Sequence, residues 1–329
     1  MSRTTGWVDP FIVLMLGLVV LASIAPVRGL AAQAVEIAAE VSIVLLFLLH
    51  GAKLSRDAIV SGFSNLRLHA AVLATTFALF PLLGLAIRAA LTGHMAPGLL
   101  DGILFLCLLP STVQSSIAFT ALARGNVAAA VCSASFSSLL GVMATPFLVA
   151  LLMGHSASVS TAAIEKIVLQ LVLPFAAGHL LRPWIGKVVD RHRKLVGRVD
   201  RSSILLIVFS AFSASVVEGL WNRVDATDIA AILLVSAALL ATVMTLTWWA
   251  SSWIGLKRED RIVMLFAGSK KSLATGVPIA STLFPAAALG SVLLPVMLFH
   301  QLQLIVCAAM AQAFARGADD AATADLAAA

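Results

Sequence analysis

Charge is what this sequence has little of. Only 12% of its 329 residues are Asp, Glu, Lys or Arg, about half the share found in soluble globular domains. Hydrophobic residues make up 60% of the chain, and the mean hydropathy is +1.02. A water-soluble fold of this length could not bury so much apolar surface. The scarcity of charge therefore excludes an ordinary soluble domain and indicates a protein of the lipid bilayer.

Three further absences narrow the class. The alternating segments of about ten residues that are typical of membrane barrels are missing, and the apolar runs are instead continuous and long enough for helices to cross about 30 Å of hydrocarbon. Only three cysteines occur, within apolar runs, and the spacing of Cys107, Cys132 and Cys307 fits neither a metal site nor a disulfide framework. The net charge of +6 comes from basic residues in short loops, so no nucleic-acid partner is expected.

Charged residues, prolines and glycines divide the chain into ten apolar runs. The sequence therefore predicts an all-α polytopic membrane protein with ten transmembrane helices, at residues 9–26, 35–51, 68–91, 98–122, 127–152, 163–183, 202–221, 227–254, 262–283 and 287–314. The first run resembles a signal peptide weakly. No clean cleavage site follows it and Pro26 ends it, so we expect it to be retained as a transmembrane helix.

The distribution of basic residues predicts the orientation. With the N-terminus in the cytoplasm, sixteen Lys and Arg side chains fall on the cytoplasmic side and four on the other, and the remaining two are Lys270 and Lys271 inside the ninth run. This bias follows the positive-inside rule. We therefore expect a plasma (inner) membrane protein with both termini cytoplasmic, and a disordered tail at 317–329.

The longest and most basic loop, residues 182–201, lies between the sixth and seventh helices. It serves as a topology signal under the positive-inside rule, with lipid or regulator binding as the alternative. Five helices on each side of residues 155 and 156 make two repeats, 1–155 and 156–316. Because each has an odd number of helices, the two enter the membrane from opposite sides, the layout of an inverted repeat.

Polar segments interrupt the fourth helix of each repeat. The first is Leu109-Pro110-Ser111-Thr112-Val113-Gln114-Ser115-Ser116, and the second runs from Ala267 to Pro278. Each proline removes a backbone donor and frees a carbonyl, and inverted-repeat transporters bind solutes at such breaks. The candidate substrate- or ion-binding residues here are Ser111, Thr112, Gln114, Ser115, Ser116, Ser269, Lys270, Lys271 and Ser272. Ordinary helix kinks are the alternative.

Two adjacent lysines at mid-membrane are costly, at least about 2.5–3.5 kcal/mol each on insertion scales. They lie about 100° apart around a helix, so both cannot face one cavity. We expect one of Lys270 and Lys271 to face the cavity and the other to reach a freed carbonyl or a polar neighbour. The alternative is that the break lies near an interface and both ammonium groups reach water.

Neighbouring helices add further candidates. Ser133 and Ser137 lie on one face of the fifth helix, where packing alone is the alternative. The tenth helix carries His300, Gln301 and Gln303. Glu40 is the deepest carboxylate of the second helix, and we consider it a proton carrier or a partner for Lys270.

Several segments carry a family resemblance, namely Gly51–Ser55, Leu109–Asn126, Gly268–Pro278 and Leu294–Gln303. Through them the chain resembles the bile acid:sodium symporter family, in its SBF-like branch, over about residues 9–315. The resemblance implies a panel and a core domain, crossed discontinuous helices 4 and 9, and uptake of organic anions driven by sodium.

The resemblance also assigns residues. The polar pair after the fourth-helix break falls on Ser115 and Ser116, and the hydroxyl positions of the fifth helix fall near Ser133 and Ser137. The ninth helix departs from the wider family. An acidic residue is replaced there by Phe266 and an amide pair by Lys270 and Lys271, which puts sodium in doubt as a cofactor. No other cofactor and no metal is expected.

The resulting hypothesis is a secondary active transporter of small organic anions or amphipathic solutes, working by alternating access and without sodium coupling of the usual kind. A proton on Lys270, Lys271, Glu40 or His300 would replace sodium. The alternative is a non-transporting membrane regulator of ion (calcium) homeostasis, to which eukaryotic members of the branch are linked. An enzyme that uses Ser115 or Ser116 with His300 is disfavoured, because the sequence has no mid-membrane Asp to complete a catalytic set. A channel is disfavoured because the sequence has no filter motif. A homo-oligomer remains open.

Overall fold

The computed structural model describes residues 10–53, 65–154 and 165–328, and within these ranges the fold is built of helices. In chain order they are α1 (Pro10–Ile24), α2 (Gly29–Lys53), α3 (Leu66–Leu91), α4 (Pro97–Leu108), α5 (Gln114–Leu122), α6 (Val127–Met153), α7 (Glu165–Arg191), α8 (Arg193–Val217), α9 (Ala226–Trp253), α10 (Arg258–Gly268), α11 (Leu273–Leu283) and α12 (Ala286–Ala328). Helices α3 and α7 each contain one π-helical turn, at Thr75–Leu79 and Val168–Val172.

Seven helices in the described ranges are long and apolar enough to cross a membrane: α2, α3, α6, α7, α8, α9 and α12 as far as Gly317. The other three predicted spans correspond to the shorter α1 and to two pairs of half-helices, α4 with α5 and α10 with α11. Large apolar side chains point outward, with Ile24, Leu30 and Leu234 exposed by 79%, 84% and 72%. Such a surface suits lipid, so the protein is an all-helical, multi-pass membrane protein.

Two predictions about the ends of elements are wrong. The basic segment 182–201 is not a loop, because α7 continues to Arg191 and α8 begins at Arg193, with only His192 between them. Residues 317–328, predicted as a disordered tail, continue α12 as a helix. The first segment is rich in Lys and Arg and the second in Ala, and these residues favour helix even outside an apolar run. The predicted boundary between residues 155 and 156, and Leu54 and Ser55 of the first motif, lie outside the described residues.

The helices pack in two groups, which we call the first group (α1, α2, α7 and α8) and the second group (α3–α6 and α9–α12). Helix α8 of the first group also packs against α11 and α12 of the second group. In the first group, α2 and α7 approach at Gly51 and Gly178, where an added Cβ would collide with the main chain of the other helix. The first motif, which begins at Gly51, therefore provides a close helix contact.

In the second group, one carboxylate joins three helix starts. The amides of Asn65 and Asn126 each donate to a different oxygen of Asp260, both at 2.8 Å. The same asparagines accept from main-chain N–H groups in the first turns of α3 and α6, and so cap those helices. Asp260 lies in the first turn of α10. This contact aligns the starts of α3 and α6 with the start of α10, the first half of the second interrupted helix.

Candidate functional site

The two interruptions meet in the interior of the second group. The chain is non-helical between α4 and α5, residues 109–113, and between α10 and α11, residues 269–272; we call these the first and second breaks. The N–H of Ser272 donates to the carbonyl of Pro110 at 2.8 Å. The Ser111 hydroxyl donates to the carbonyl of Ala267 at 2.6 Å. The predicted discontinuities are therefore present, and they form one site.

Helix α6 holds the first break from the other side. The Ser137 hydroxyl accepts from the N–H of Ser111 at 2.9 Å, and the Thr145 hydroxyl donates to the carbonyl of Leu108 at 2.8 Å. Gly141 lies between them, and a Cβ there would collide with the ring of Pro110. Ser137, Gly141 and Thr145 therefore pack against the first break and satisfy its backbone groups.

Lys271 lies buried in the second break, with 1% of its surface exposed. Its ammonium donates to three main-chain carbonyls, those of Thr76 at 2.8 Å, Cys107 at 2.8 Å and Leu109 at 2.7 Å. It also lies 4.1 Å from the centre of the Phe80 ring, on the face that attracts cations. We call these three carbonyls the carbonyl cage. All three ammonium protons are thus used.

Prolines leave the cage carbonyls free for this role. In α3 the N–H of Phe80 bonds to Thr75, and Pro81 has no N–H, so the carbonyl of Thr76 lacks a helical partner. At the end of α4 the helix stops before Pro110, and the N–H of Ser111, one turn after Cys107, donates to Ser137, so the carbonyl of Cys107 has no helical partner. Each of these carbonyls would cost several kcal/mol if it were left unpaired in the membrane interior. Lys271 removes that cost.

Gln303 of α12 holds the backbone of the same lysine. The N–H of Lys271 donates to Gln303 Oε1 at 2.9 Å, and Gln303 Nε2 donates to the carbonyl of Lys271 at 2.9 Å. The second proton of Nε2 points to His300 Nδ1 at 2.8 Å. In this arrangement Nδ1 accepts, so the proton of a neutral His300 ring lies on Nε2. The amide thus links the second break to His300.

Lys270, the neighbouring residue, has a different environment. Its side chain is 0% exposed, yet its ammonium has no hydrogen-bond partner. It lies 4.1 Å from the centre of the Phe119 ring and 5.4 Å from that of Phe266. The alternative in which both ammonium groups reach water is therefore wrong in this structure. One lysine reaches freed carbonyls, as expected, but Lys270 is not among the residues that line the cavity described below, so its expected contact with a cavity stays a prediction.

The hydroxyl groups of most other candidate residues are engaged in hydrogen bonds at the breaks. Thr112 bonds the hydroxyls of Ser115 at 2.8 Å and Ser116 at 3.2 Å. Ser116 also donates to the carbonyl of Phe266 at 3.2 Å. Ser269 donates to the carbonyl of Leu265 at 2.6 Å, and Ser272 caps α11. These hydroxyls stabilise the breaks.

Four candidates lie apart from the contact between the breaks. Gln114 is exposed at the start of α5, and the Gln301 amide nitrogen is buried without a partner. Ser133 bonds the ring of buried His69 at 2.8 Å. Glu40 pairs with Lys166 at 3.1 Å. Glu40 is therefore not the partner of Lys270, because a carboxylate at that end of α2 finds a closer cation on α7.

Sequence reasoning missed His69 and the residues of the carbonyl cage. A signal existed for Thr76, since Pro81 lies inside the third apolar run and must free a carbonyl one turn before it. The contacts of Cys107 and of the Phe80 and Phe119 rings depend on helix packing alone. His69 lies in an apolar segment and has no local feature that distinguishes it from a packed core histidine.

A cavity of about 140 Å³ separates the two groups of helices. Its walls come from α2, α7 and α8 on one side and α11 and α12 on the other, and its polar lining includes Glu36, Glu40, Lys166, Gln170, Ser210 and Ser281. Gln170 also accepts a long hydrogen bond from Thr282 at 3.5 Å, across the two groups. Beside this cavity the two groups are in contact, since α8 packs directly against α11 and α12.

Apolar helices, lipid-facing flanks and two broken helices that meet in the interior define a multi-pass membrane protein with the architecture of a secondary transporter. The chain belongs to the SBF-like CPA transporter family, whose sequence profile matches residues 9–316. The family resemblance drawn from the motifs is thereby confirmed, and the protein is assigned to membrane transport.

Relatives extend over nearly the whole chain. It is 52% identical over 326 residues to the uncharacterized protein PA2026 of Pseudomonas aeruginosa, covering 98% of each chain. It is 48% identical over 309 residues to the Escherichia coli protein named "Putative symporter YfeH", covering 94% of this chain and 93% of that one. It is 26% identical over 273 residues to sodium/bile acid cotransporter 7 of Rattus norvegicus, covering 81% and 79%. The names of the second and third relatives are those of transporters.

Proposed function

We propose that the protein is a secondary active transporter of small organic anions or amphipathic solutes that works by alternating access, without sodium coupling of the usual kind. The names of two relatives, a symporter and a sodium/bile acid cotransporter, support the class of activity. The observation that carries the solute class is the ammonium of Lys270, buried without a hydrogen-bond partner beside the contact of the two breaks.

An anion is the ligand that best suits this ammonium. Helices α5 and α11 both begin at the breaks, and helix N-termini favour negative charge. The rings of Phe119 and Phe266 beside Lys270 offer apolar contact to the rest of a solute. A carboxylate, sulfonate or sulfate attached to an apolar body would satisfy both features, which is why amphipathic anions are included.

Ten transmembrane spans in two inverted repeats, 1–155 and 156–316, fit the helix groups. Each repeat supplies its first two spans to the first group and its next three to the second group. The basic residues favour cytoplasmic termini and the plasma (inner) membrane. Under that topology the cavity lined by Glu36 and Glu40 faces away from the cytoplasm, and rocking of one group against the other would close it.

Sodium coupling is disfavoured because Lys271 already supplies a fixed positive charge among the carbonyls freed by the breaks. A proton on Lys270 or His300 is the proposed coupling ion. Lys271 is a weaker candidate since its three N–H groups are engaged, and Glu40 is weaker because it pairs with Lys166.

The test is uptake into proteoliposomes with taurocholate as the amphipathic anion, benzoate as a small anion and choline as a cationic control. We expect uptake of an anion that a pH gradient drives and a sodium gradient does not. The exchange Lys270→Gln with Lys271→Asn should abolish transport or introduce ion dependence. Strict sodium dependence of the natural chain would overturn the coupling, and uptake of choline alone would overturn the solute class.

A further inference from the structure

The surroundings of the Lys271 ammonium are those of a bound monovalent cation. Three neutral main-chain oxygens lie 2.7–2.8 Å from Nζ, on one side of the Phe80 ring. Carbonyl oxygens in such a group replace the hydration shell of a cation, as in potassium-selective pores. Among the described residues no carboxylate forms a salt bridge with Lys271. A divalent ion would call for anionic ligands, so the cage suits a single positive charge.

The three carbonyls of the cage come from segments other than the second break, which carries Lys271. The carbonyl of Thr76 comes from the π-helical turn of α3, and those of Cys107 and Leu109 come from the end of α4 and the first break. Pro81 and Pro110 free them, and Ser137 and Thr145 hold the first break independently of the lysine. Shortening the Lys271 side chain should therefore leave a set of inward-pointing oxygens with a space between them.

We propose that the carbonyl cage is a monovalent-cation site which Lys271 keeps permanently filled, and that it binds potassium, ammonium or methylammonium when this side chain is shortened. A distance of 2.7–2.8 Å from oxygen to the centre of charge suits ammonium and the similarly sized potassium ion. It is long for the smaller sodium and lithium ions. The relevance of this site to ion coupling rests on the proposed function. In a transporter, a cation tethered to the chain would make a free cation unnecessary at this position.

The experiment compares Lys271→Ala with Lys270→Ala, a matched control that removes the adjacent ammonium but leaves the cage occupied. Both variants and the natural chain are purified in detergent, and their apparent melting temperatures are measured in potassium, ammonium, methylammonium, sodium, lithium and choline chlorides at equal ionic strength. A ligand that binds only the folded protein raises its stability in a saturable way.

We expect Lys271→Ala to melt lower than the natural chain, and to regain several degrees in potassium, ammonium or methylammonium with saturation in the millimolar range. The natural chain and Lys270→Ala should show no difference among the cations. An equal response to all salts, the same cation response in Lys270→Ala, or a preference for sodium or lithium would overturn the proposal.

A variant that fails to fold also gives an answer. Lys271→Ser, whose hydroxyl adds a fourth oxygen, is then extracted in each salt, and folded protein recovered only in potassium, ammonium or methylammonium supports the site. Failure of both variants in every salt overturns it, because an open site must accept an external cation. No substrate is needed, so an absence of uptake contradicts the proposed function without affecting this result.

Discussion

Lys270 and Lys271 are adjacent in the chain, but their ammonium groups have opposite surroundings. The second break turns the two side chains to different neighbours, one to three carbonyls and the other to two aromatic rings. A fully hydrogen-bonded cation contributes to structure, whereas a buried cation without an acceptor is costly and is found mainly at functional positions. We therefore propose that Lys271 belongs to the framework of the site and that Lys270 meets the solute.

The first prediction separates these roles by exchanging each lysine for methionine. Lys270→Met should reduce anion uptake at least about tenfold, the effect of losing about 1.4 kcal/mol of binding, while the melting temperature stays the same or rises. Lys271→Met should lower the melting temperature, because each unpaired buried carbonyl costs roughly 1–3 kcal/mol. Uptake assays and differential scanning fluorimetry measure the two effects. Equal stability losses in both variants would contradict the assignment.

The second prediction concerns the amide that holds Lys271. Gln303→Leu removes two bonds to the Lys271 backbone and one to His300, so we expect a loss of stability of roughly 1–3 kcal/mol. Gln301→Leu is the matched control, since the nitrogen of its amide is buried without a partner, and it should be neutral or stabilising. Unfolding of both variants is followed by fluorescence. A larger loss for Gln301→Leu would refute this reading of the amide.

At the scale of elements, prolines and glycines control how the helices meet. Pro81 and Pro110 free the carbonyls that Lys271 binds, whereas glycines permit the close contacts that surround them. Gly51 and Gly178 bring α2 against α7, and Gly141 admits the ring of Pro110 beside α6. A side chain at these glycines would meet main chain or a rigid ring, neither of which can move aside without shifting a helix.

The third prediction compares two glycines within helices of the first group. In Gly51→Ala the new Cβ would collide with the carbonyl of Phe175, so α2 and α7 must separate and the melting temperature should fall by several degrees. In Gly197→Ala nothing lies within 4 Å of the new Cβ. Because Ala favours helix by up to about 1 kcal/mol over Gly, this control should be neutral or stabilising. Equal melting temperatures would show that the contact at Gly51 is not tight.

For the whole molecule, the relation of the two helix groups is the feature on which transport depends. The cavity between them opens beside the Glu40–Lys166 pair, while the opposite ends of α7 and α8 carry the basic segment. Alternating access requires one group to move against the other so that the site opens to each side in turn. The second group contains both breaks, so the solute site would move with it.

The fourth prediction tests the exposure of this cavity in intact spheroplasts. Ser210→Cys places a thiol in the cavity lining, and it should react with a membrane-impermeant thiol reagent added from outside. Ser213→Cys on the same helix is buried and should not react. The natural chain is the background control, because Cys107, Cys132 and Cys307 are buried. A transported anion should change the labelling rate of Ser210→Cys. Labelling only from the cytoplasmic side would reverse the proposed topology.

Local features of the sequence carried much of the fold. Uninterrupted apolar runs predicted membrane helices, and Pro110 and the polar residues near Lys270 predicted the two breaks, since each feature acts on its own segment of backbone. The ends of α7 and α8 were missed because hydropathy marks where lipid ends and not where hydrogen bonding ends. The helical continuation of α12 beyond Arg316 was missed because an alanine-rich segment was treated as lacking structure.

The contacts of the site depended on packing between distant segments. Thr76 and Lys271 are 195 residues apart, and Ser111 and Ala267 are 156 apart, so no local pattern could pair them. The sequence predicted that hydroxyls, lysines and Gln303 would lie near the breaks. It could not tell that most hydroxyls complete the backbone bonds of the breaks, that Lys271 fills the carbonyl cage, or that Glu40 joins Lys166.

Membrane location, helical class and the positions of the interruptions follow from composition and order of residues, because solvent transfer and backbone hydrogen bonding act on each segment separately. Composition and the order of residues do not determine which of the two adjacent lysines binds the carbonyls. The difference arises when α3, α4 and α5 pack around the second break and bring three carbonyls to one ammonium and the Phe119 ring to the other. Such a choice depends on distances between separate helices, which exist only once the chain has folded.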